Sequence, residues 1–302
     1  MKSTGGLLDR DERRATHGND YRHIVPFTDE PTRTASVVIP THGNARSLEL
    51  CFRALDSQRY PRDLWEVVVV EDGCDGVARS LRRSWGFPLT VVSLGEGSNR
   101  RATARNAGIE AASGEVIVSL DADIMLPAHG LDAHLGWFHT GERVATIGVR
   151  RFVDISGEVA DLAEAWALPD IVSRSNTAGR SIDTRIPDVF DLHSHPLPAQ
   201  MFHGGNVAYT KADAESVGMW AAAFDGNSGY EDLDFGHRLW QSGVYLIFEP
   251  TATVLHIEGE ISLPARRDEA ARNRELLYQR HPEFRAFREG TARAPELVAG
   301  RV

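Results

Sequence analysis

Two aspartates two positions apart, Asp121 and Asp123, follow directly on the apolar run 116–120. A short apolar run of this kind, bounded by turn-forming residues, predicts a buried strand. At that spacing both carboxylates point to the same side of an extended chain, at the place where the strand leaves the sheet. Carboxylate oxygens suit Mg²⁺ and Mn²⁺, and such a site keeps room for phosphate oxygens. The pair is also typical of a solvated turn, so its interpretation depends on the rest of the chain.

A regular alternation of apolar runs and amphipathic segments must position these acids. It predicts an α/β fold with a Rossmann-like, mainly parallel sheet and helices on both faces. Because ligands of such sheets bind at the carboxyl ends of the strands, Thr41, Asp72 and the Asp-x-Asp pair belong on one rim. The predicted strands are 36–39, 66–70, 89–92 and 116–120. Three helices are predicted: one whose apolar face starts at Leu48, one whose apolar face starts at Val77, and one that spans 101–112.

The second half of the chain has weaker patterns. The segment 150–200 holds Pro, Ser, Asp and His without a clear period, which is typical of a binding loop. We expect 170–200 to become ordered when ligand binds. His193 and His195 have a spacing that could ligate a metal, but no third ligand stands nearby in sequence, so they are interpreted as part of a binding loop without a metal, which the resemblance described below makes an acceptor loop. Further regular elements are predicted as a helix from Glu231 to Ser242 and short strands at 244–248 and 252–255.

The composition excludes several classes of protein. The 302 residues are 42% hydrophobic and 25% charged, which is typical of a globular α/β protein. A formal net charge of −10 argues against general nucleic-acid binding and against a polybasic membrane patch. The two cysteines, Cys51 and Cys74, form no disulfide framework. With no apolar leader in 1–30 and no run of about 18 apolar residues, we expect a cytoplasmic protein without a transmembrane segment.

Six segments in a fixed order carry a resemblance to a known family. They are Val38-Ile39-Pro40-Thr41, Val69-Val70-Glu71-Asp72-Gly73, Ala104-Arg105-Asn106-Ala107-Gly108, Leu120-Asp121-Ala122-Asp123, Gly204-Gly205-Asn206, and the ten residues from Tyr230 to Leu239. Over roughly 35–256 the chain resembles a family 2 glycosyltransferase with the GT-A fold. It departs at Glu71 and Cys74, where the family more often has Asp and Ser, which leaves the base of the nucleotide open.

The resemblance implies a division of the chain into three parts. A flexible N-terminal arm spans 1–34, a GT-A domain spans 35–256, and a helical extension spans 257–302. Within the domain, 35–123 is the nucleotide-binding half and 124–256 is the acceptor-binding half.

For the donor, the resemblance implies a nucleotide-diphosphate sugar. The Pro40-Thr41 turn brings backbone to the nucleotide, Asp72 accepts a hydrogen bond from a ring N–H of the base, and Arg105 reaches the base or the phosphates. Asp121 contacts the ribose, and a UDP-sugar is favoured, with GDP- and dTDP-sugars as alternatives. The implied donor-binding residues are Pro40, Thr41, Glu71, Asp72, Arg101, Arg105, Asp121, Ala122, Gly204, Gly205 and Asn206.

For the metal and the chemistry, the resemblance implies Asp123 and His256 as ligands of Mn²⁺ or Mg²⁺. For His256 a plain strand-end histidine is the alternative, and His203 either lines the donor pocket or packs in a loop. Asp232 is implied as the general base, because a sugar hydroxyl is a poor nucleophile until a positioned carboxylate takes its proton. Glu231 then contacts the acceptor or serves as the alternative base. Acids at a helix start also suit its positive end, so a capping pair is the alternative.

The resulting expectation is a metal-dependent glycosyltransferase of the hexosyltransferase type that inverts the anomeric carbon. Its acceptor is open among a small molecule, a lipid-linked sugar and a peptide. A retaining glycosyltransferase on the same fold is the first alternative. A sugar nucleotidyltransferase is the second, although Pro40-Thr41-His42-Gly43 is a poor match to the Gly-rich basic loop of that class. A binding module without catalysis is the third, and the presence of both Asp123 and Asp232 argues against it.

Overall fold

A computed structural model describes residues 18–27, 32–81, 85–153, 183, 185, 188–257 and 263–290, the first seven residues of the last range by backbone alone. Its strands are β1 (Ala35–Thr41), β2 (Trp65–Glu71), β3 (Leu89–Ser93), β4 (Val116–Leu120), β5 (Ile124–Met125), β6 (Val144–Ile147), β7 (Arg150–Val153), β8 (Asn206–Thr210), β9 (Tyr245–Phe248) and β10 (Val254–Ile257). Within these ranges seven strands form one sheet in the order β3-β2-β1-β4-β8-β6-β9.

This sheet is mainly parallel. Strand β1 pairs in parallel with β2 and β4, and β2 pairs in parallel with β3. Strand β8 runs antiparallel between β4 and β6, and β6 pairs in parallel with β9. The predicted fold class is therefore confirmed, with one reversed strand that the sequence pattern did not indicate.

The helices cover both faces of the sheet. Val37 and Ile39 point into one apolar cluster, and Val38 points into a second cluster on the opposite face. This alternation on a strand buried on both sides explains why β1 is a continuous apolar run. The helices are α1 (Ala45–Asp56), α2 (Val77–Ser80), α3 (Arg101–Ala111), α4 (Gly130–Leu135), α5 (Lys211–Ser216), α6 (Glu231–Gln241), α7 (Leu263–Arg280) and α8 (Pro282–Arg288), with short 3₁₀ turns between several of them.

Some predicted boundaries are corrected. Helix α2 has a single turn and ends at Ser80. The longer helix predicted from the apolar face at Val77 is therefore wrong at residue 81, which is not helical. Residues 82–84 lie outside the described residues. Strand β10 extends to Ile257, beyond the predicted 252–255, because it pairs with two other strands. Helix α6 agrees with its predicted span within one residue.

A second sheet, in the order β5-β10-β7, lies beside the first. Strand β5 begins one residue after Asp123, and β10 carries His256 opposite Ile124. Strand β7 places Arg150 opposite Val254 in parallel pairing. This small sheet therefore brings a distant histidine to the end of the Asp-x-Asp pair.

The N-terminal arm is packed against the sheet where the structure describes it. The Asn19 side chain donates to the Leu246 carbonyl oxygen at 2.8 Å and accepts from the Leu246 N–H at 2.9 Å. It thereby pairs the outer edge of β9, which is otherwise open to other strands. The predicted flexible arm is corrected for 18–27, while 1–17 and 28–31 lie outside the described ranges.

The C-terminal part forms two helices that hold α6 in place. Asn273 on α7 donates to the carbonyl oxygens of Phe224 and Gly229, just before α6. Phe284 on α8 is fully buried in the second apolar cluster. Among the helices described, none combines the length and the apolar character that crossing a membrane requires.

Candidate active site

A pocket of about 730 Å³ opens where β1, β2 and β4 end, which is the rim that the sequence predicted. Further walls come from the second half of the chain, namely residues 203–205, 228–229, 231–232 and His256. Most predicted site residues line it: Pro40, Thr41, Asp72, Arg101, Arg105, Asp121, Ala122, Asp123, Gly204, Gly205, Glu231, Asp232 and His256. One cavity thus contains the acid pair of β4, the acids that begin α6 and the histidine of β10.

Asp123 and His256 meet because β5 follows the Asp-x-Asp pair and pairs with β10. The Ile257 N–H donates to the Asp123 carbonyl oxygen at 2.9 Å, which fixes the two strands beside each other. Asp123 Oδ1 lies 3.2 Å from His256 Nε2. Neither Asp123 Oδ1 nor His256 Nδ1 has a hydrogen-bond partner within the described ranges. A carboxylate oxygen and an imidazole in this arrangement fit a divalent cation such as Mn²⁺.

Arg105 connects the two groups of acids. Its guanidinium donates to Glu231 Oε1 and to Asp121 Oδ1, both at 3.0 Å, and packs 4.5 Å from the centre of the Trp220 ring. Burial alone raises the pKa of Asp121, but Arg105 and then His256 bring it below its ordinary value. Arg105 thus contacts two carboxylates and also lines the pocket, and its contact with base or phosphates stays a prediction.

Asp232 faces the pocket from the first turn of α6. The helix begins after Tyr230, whose φ of +72° is a left-handed conformation that non-glycine residues rarely adopt. Asp232 Oδ2 accepts from the Gly204 N–H at 3.4 Å, and Oδ1 accepts from the Leu233 N–H at 2.9 Å. Burial, and then the neighbouring Glu231 carboxylate, raise the pKa of Asp232 to about 6. A carboxyl group of that pKa takes and returns protons near neutral pH.

Asp72 lines the pocket, and its oxygens are held by a residue that sequence reasoning missed. Arg100 donates its backbone N–H to Asp72 Oδ2 and its Nε to Oδ1, both at 2.7 Å. Two further Arg100 nitrogens donate to the carbonyl oxygens of Leu94 and Gly95. Asp72 therefore fixes the loop that leads into α3. Arg100 stands one residue before the predicted helix, and no local pattern distinguished it from a surface arginine.

Glu71 does not line the pocket. It is buried, and its carboxylate accepts from the Gly76 N–H at 2.9 Å and from the Ala78 N–H at 2.7 Å. These are N–H groups at the start of α2, which need acceptors because no earlier turn supplies one. The predicted contact between Glu71 and the nucleotide is thus corrected to a support of the turn.

Asn206 is also behind the pocket wall. Its Oδ1 accepts from His134 Nε2 at 3.1 Å, and its Nδ2 donates to the Ala252 carbonyl oxygen at 2.8 Å. The side chain is 1% exposed, and His134 continues the network to Thr146 Oγ1 at 2.7 Å. This network links β8, β6 and α4, so the predicted donor contact of Asn206 is corrected to an internal brace.

The glycine pair before β8, Gly204 and Gly205, lets the backbone come close to the side chains of Trp220 and Asp121. A Cβ on Gly205 would lie 2.3 Å from Asp121 Oδ2, and a Cβ on Gly204 would lie 2.7 Å from the Trp220 ring. Both distances are far shorter than van der Waals contact, so larger residues would displace these side chains. The two glycines therefore let β8 pack against Asp121 while their backbone still lines the pocket.

Arg150 and His203 complete the wall near the glycine pair, and Arg150 was not predicted. Arg150 Nη2 lies 2.8 Å from His203 Nδ1, and both residues line the pocket. Arg150 falls at the start of the irregular segment 150–200, where the sequence offered no period to place it on a strand. Of the two readings of His203, the structure supports the one that puts it in the pocket.

The predicted acceptor loop is described only in part. The His193 ring contacts Tyr21, and the His195 ring contacts Phe287, so neither histidine lines the pocket. The contact of these two histidines with an acceptor stays a prediction, and it would lie outside this pocket. Of the loop 170–200 that was predicted to order on ligand binding, 170–182, 184 and 186–187 lie outside the described residues.

The family of the chain follows from comparison with known proteins. Residues 36–216, more than half of the chain, match the family model described as glycosyl transferase family 2. The chain therefore belongs to this family, and the fold described above is the GT-A fold. The expectation of a hexosyltransferase-type enzyme agrees with this membership.

Two curated relatives extend the similarity beyond the family model. The chain is 27% identical over 270 residues to a chondroitin synthase of Escherichia coli and 28% identical over 260 residues to a validoxylamine A glucosyltransferase of Streptomyces hygroscopicus subsp. jinggangensis. Each match covers 82% of this chain, but only 38% and 61% of the two relatives. The chain thus spans a part of each relative's length.

Among solved structures, the chain is similar to the mannosyltransferase PcManGT from Pyrobaculum calidifontis, solved in complex with GDP-Man and Mn²⁺. The TM-score is 0.64 at 22% identity, over 95% of this chain and 72% of that one. At this identity the likeness concerns the fold alone.

Proposed function

We propose that the protein transfers a sugar from a nucleotide-diphosphate sugar to an acceptor hydroxyl, with a divalent cation and with inversion at the anomeric carbon. The observation that carries this proposal is one pocket with two kinds of acid. Asp123 with His256 forms a cation site on one side, and Asp232 with a pKa near 6 forms a proton acceptor on the other. A donor diphosphate and an acceptor hydroxyl need these two groups.

The donor end of the pocket is supported by the rim of β1 and β2. Thr41 Oγ1 is buried and has no hydrogen-bond partner in the described part of the chain, so it is available to a ligand at this edge. Arg101 lines the same side and lies 3.4 Å from Ser228 Oγ. A UDP-sugar remains the favoured donor. GDP- and dTDP-sugars are the alternatives, and the solved relative named above holds GDP-Man.

Asp123 and His256 would hold Mn²⁺ or Mg²⁺. Such a cation, when bound, neutralises charge on the diphosphate and makes it a better leaving group. Asp121, at the same strand end, would add a second carboxylate to the cation site, and Arg105 keeps that carboxylate ionised. The residues present therefore fit the cation that the family implies.

Asp232 would act as the general base. Its carboxylate takes the proton of the acceptor hydroxyl while that oxygen attacks the anomeric carbon, and the bond to the diphosphate breaks with its electron pair leaving on the phosphate oxygen. Direct attack from the opposite side inverts the anomeric centre. Arg105 positions this step, because it holds Glu231 beside Asp232 and Asp121 beside the cation site.

A binding panel tests this function. UDP-, GDP- and dTDP-sugars are titrated by calorimetry with Mn²⁺, with Mg²⁺ and in EDTA, and turnover of any bound donor is followed by NMR, which also reports the anomeric configuration. We expect one donor class to bind about tenfold or more tightly with cation. Asp123→Ala should remove that gain, whereas Asp191→Ala, at an exposed position outside the pocket, should keep it. If the Asp123→Ala protein still binds the donor about tenfold or more tightly with Mn²⁺ than in EDTA, as wild type is expected to, the proposal is contradicted.

A further inference from the structure

Strand β7 places the Arg150 guanidinium in the pocket between the Asp232 carboxylate and the cation site of Asp123 and His256. Arg150 is the first residue of this strand, and its side chain is 16% exposed. On one side its Nη2 contacts His203, which precedes the Gly204 whose N–H reaches Asp232. On the other side its guanidinium lies 5.5 Å from the centre of the Phe152 ring.

Phe152 connects Arg150 to the cation site. Residues two apart on a strand share a face, so Arg150 and Phe152 point the same way. The Phe152 ring lies 5.0 Å from the His256 ring, and the two residues are paired in the β7–β10 ladder. A chain of contacts therefore runs from the side of the pocket with Asp232 to His256: the Arg150 guanidinium lies next to the Phe152 ring, and that ring lies next to the His256 imidazole. Arg150 and His256 line the same pocket, so the guanidinium and the cation site face one ligand space.

Asp183, a buried acid near Arg150, forms its close ion pair with a different arginine. Asp183 is fully buried, but Arg185 takes it, with Nε 2.9 Å from Oδ1 and further contacts to Oδ2. Arg150 Nε stays 3.6 Å from Asp183 Oδ2 and is buried without a hydrogen bond in the described ranges. One carboxylate thus faces two guanidinium groups, and its close contacts are with Arg185 rather than with Arg150.

His203 orients the guanidinium without adding charge. Burial, and then the positive charges of Arg185 and Arg150, lower the pKa of His203 well below its ordinary value. The ring is therefore neutral at pH 7, and its Nδ1 accepts from Arg150 Nη2. This contact fixes the guanidinium plane, and because Nε is buried, it is the terminal Nη groups that can face a ligand.

From this geometry we propose that Arg150 binds the diphosphate of the donor directly, as a cation supplied by the protein in addition to the metal. The inference rests on the proposed function, since it assumes a nucleotide-diphosphate donor in this pocket. A fixed guanidinium matches the paired oxygens of a phosphate, and a charge-assisted contact strengthens as the leaving diphosphate gains charge. The contact needs no metal, so part of the preference for a diphosphate persists when the metal is removed.

The experiment compares a nucleoside diphosphate with the monophosphate of the same base, by calorimetry in Mn²⁺ and in EDTA. UDP, GDP and dTDP are tried first, and the one that wild type binds is used. Arg150→Gln should weaken diphosphate binding about 10- to 100-fold in both conditions and leave monophosphate binding nearly unchanged. The matched control is Arg151→Gln, the exposed next residue of the same strand, which should bind like wild type.

The outcomes separate this inference from the function on which it rests. If wild type binds none of the three diphosphates, the proposed function fails. If wild type binds and Arg150→Gln binds equally well, or loses both nucleotides equally, the role of Arg150 is overturned. If the glutamine variant does not fold, Arg150→Lys decides. A diphosphate-specific loss of about threefold or more then supports the proposal, because lysine keeps the charge but not the fork, and wild-type affinity contradicts it.

Discussion

Two carboxylates on helix α6, Asp232 and Asp234, are separated by one residue and have opposite environments. Residues two apart on a helix point to different sides, and here one side is the pocket and the other is the packing against the C-terminal helices. Burial and the Glu231 carboxylate raise the pKa of Asp232 to about 6. Burial also acts on Asp234, but the hydrogen bond from His281 and the charge of Arg238 lower its pKa to about 2.

The difference shows how one helix serves both chemistry and stability. The side chain of Asp234 is fully buried and is contacted by Arg238, Arg280 and His281, at 2.6 to 3.0 Å. This ties α6 to the segment that joins α7 and α8. Among the described residues, the hydrogen bonds to Asp232 come from the backbone N–H groups of Gly204 and Leu233, and its neighbour Glu231 is an acid. Two guanidinium groups and a histidine hydrogen bond make Asp234 an anchor, whereas the under-compensated carboxylate of Asp232 makes a base.

Removing the base should have the largest effect. Asp232→Asn keeps the shape of the side chain and removes the proton acceptor, so we expect turnover to fall about 10²–10⁴-fold with donor affinity nearly unchanged. The folded pKa of Asp232 lies above the ordinary value, so its ionisation weakens folding as pH rises from about 4 to 6. The variant should therefore not melt below wild type at pH 7. Steady-state kinetics and thermal melts check both points, and full activity of the variant would move the role to Glu231 or to a retaining mechanism.

Removing the anchor should act on stability instead. Asp234→Asn removes the buried counter-charge of Arg238 and Arg280, and because both guanidinium groups reach solvent in part, the cost should lie below the about 3–5 kcal/mol of fully buried pairs. Because the folded pKa of Asp234 is depressed, its stabilisation is present above about pH 4 and is lost as pH falls towards 2. The gap between wild type and variant in urea unfolding should therefore narrow over that interval. A variant as stable as wild type at pH 7 would show that Asp234 is not an anchor.

The smallest effect is expected for Glu231, the neighbour of Asp232 in the first turn of α6, and it should appear in the pH dependence of activity. Glu231→Gln removes a negative charge beside Asp232 and releases the Arg105 guanidinium from one partner. Both changes favour the ionised form of Asp232 and lower its pKa. Since the base must be ionised, activity of wild type should rise with pH through about 6, and this limb should lie at lower pH in the variant. A pH profile of kcat/KM measures the shift, and an unchanged limb would assign it to another group.

Sequence reasoning succeeded where neighbours along the chain decide the structure. The Asp-x-Asp pair could be placed at a rim because five buried residues precede it and a strand must end there. The acids of α6 could be placed at a helix start because the amphipathic period begins with them. It failed for Glu71 and Asn206, whose side chains looked equally available to a ligand. Their partners are backbone and side-chain groups that satisfy buried polar atoms, and burial cannot be read from a single position.

The sequence by itself determined the α/β class, the family and the strand ends that carry the acids, because apolar period and local turn chemistry are properties of short segments. Only the tertiary structure decided which charges meet. Arg105 contacts Asp121, 16 residues away, and Glu231, 126 residues away, and Asp123 meets His256 through the pairing of β5 with β10. A charge takes its pKa and its role from the groups that pack around it, and packing joins residues that the order of the chain keeps apart.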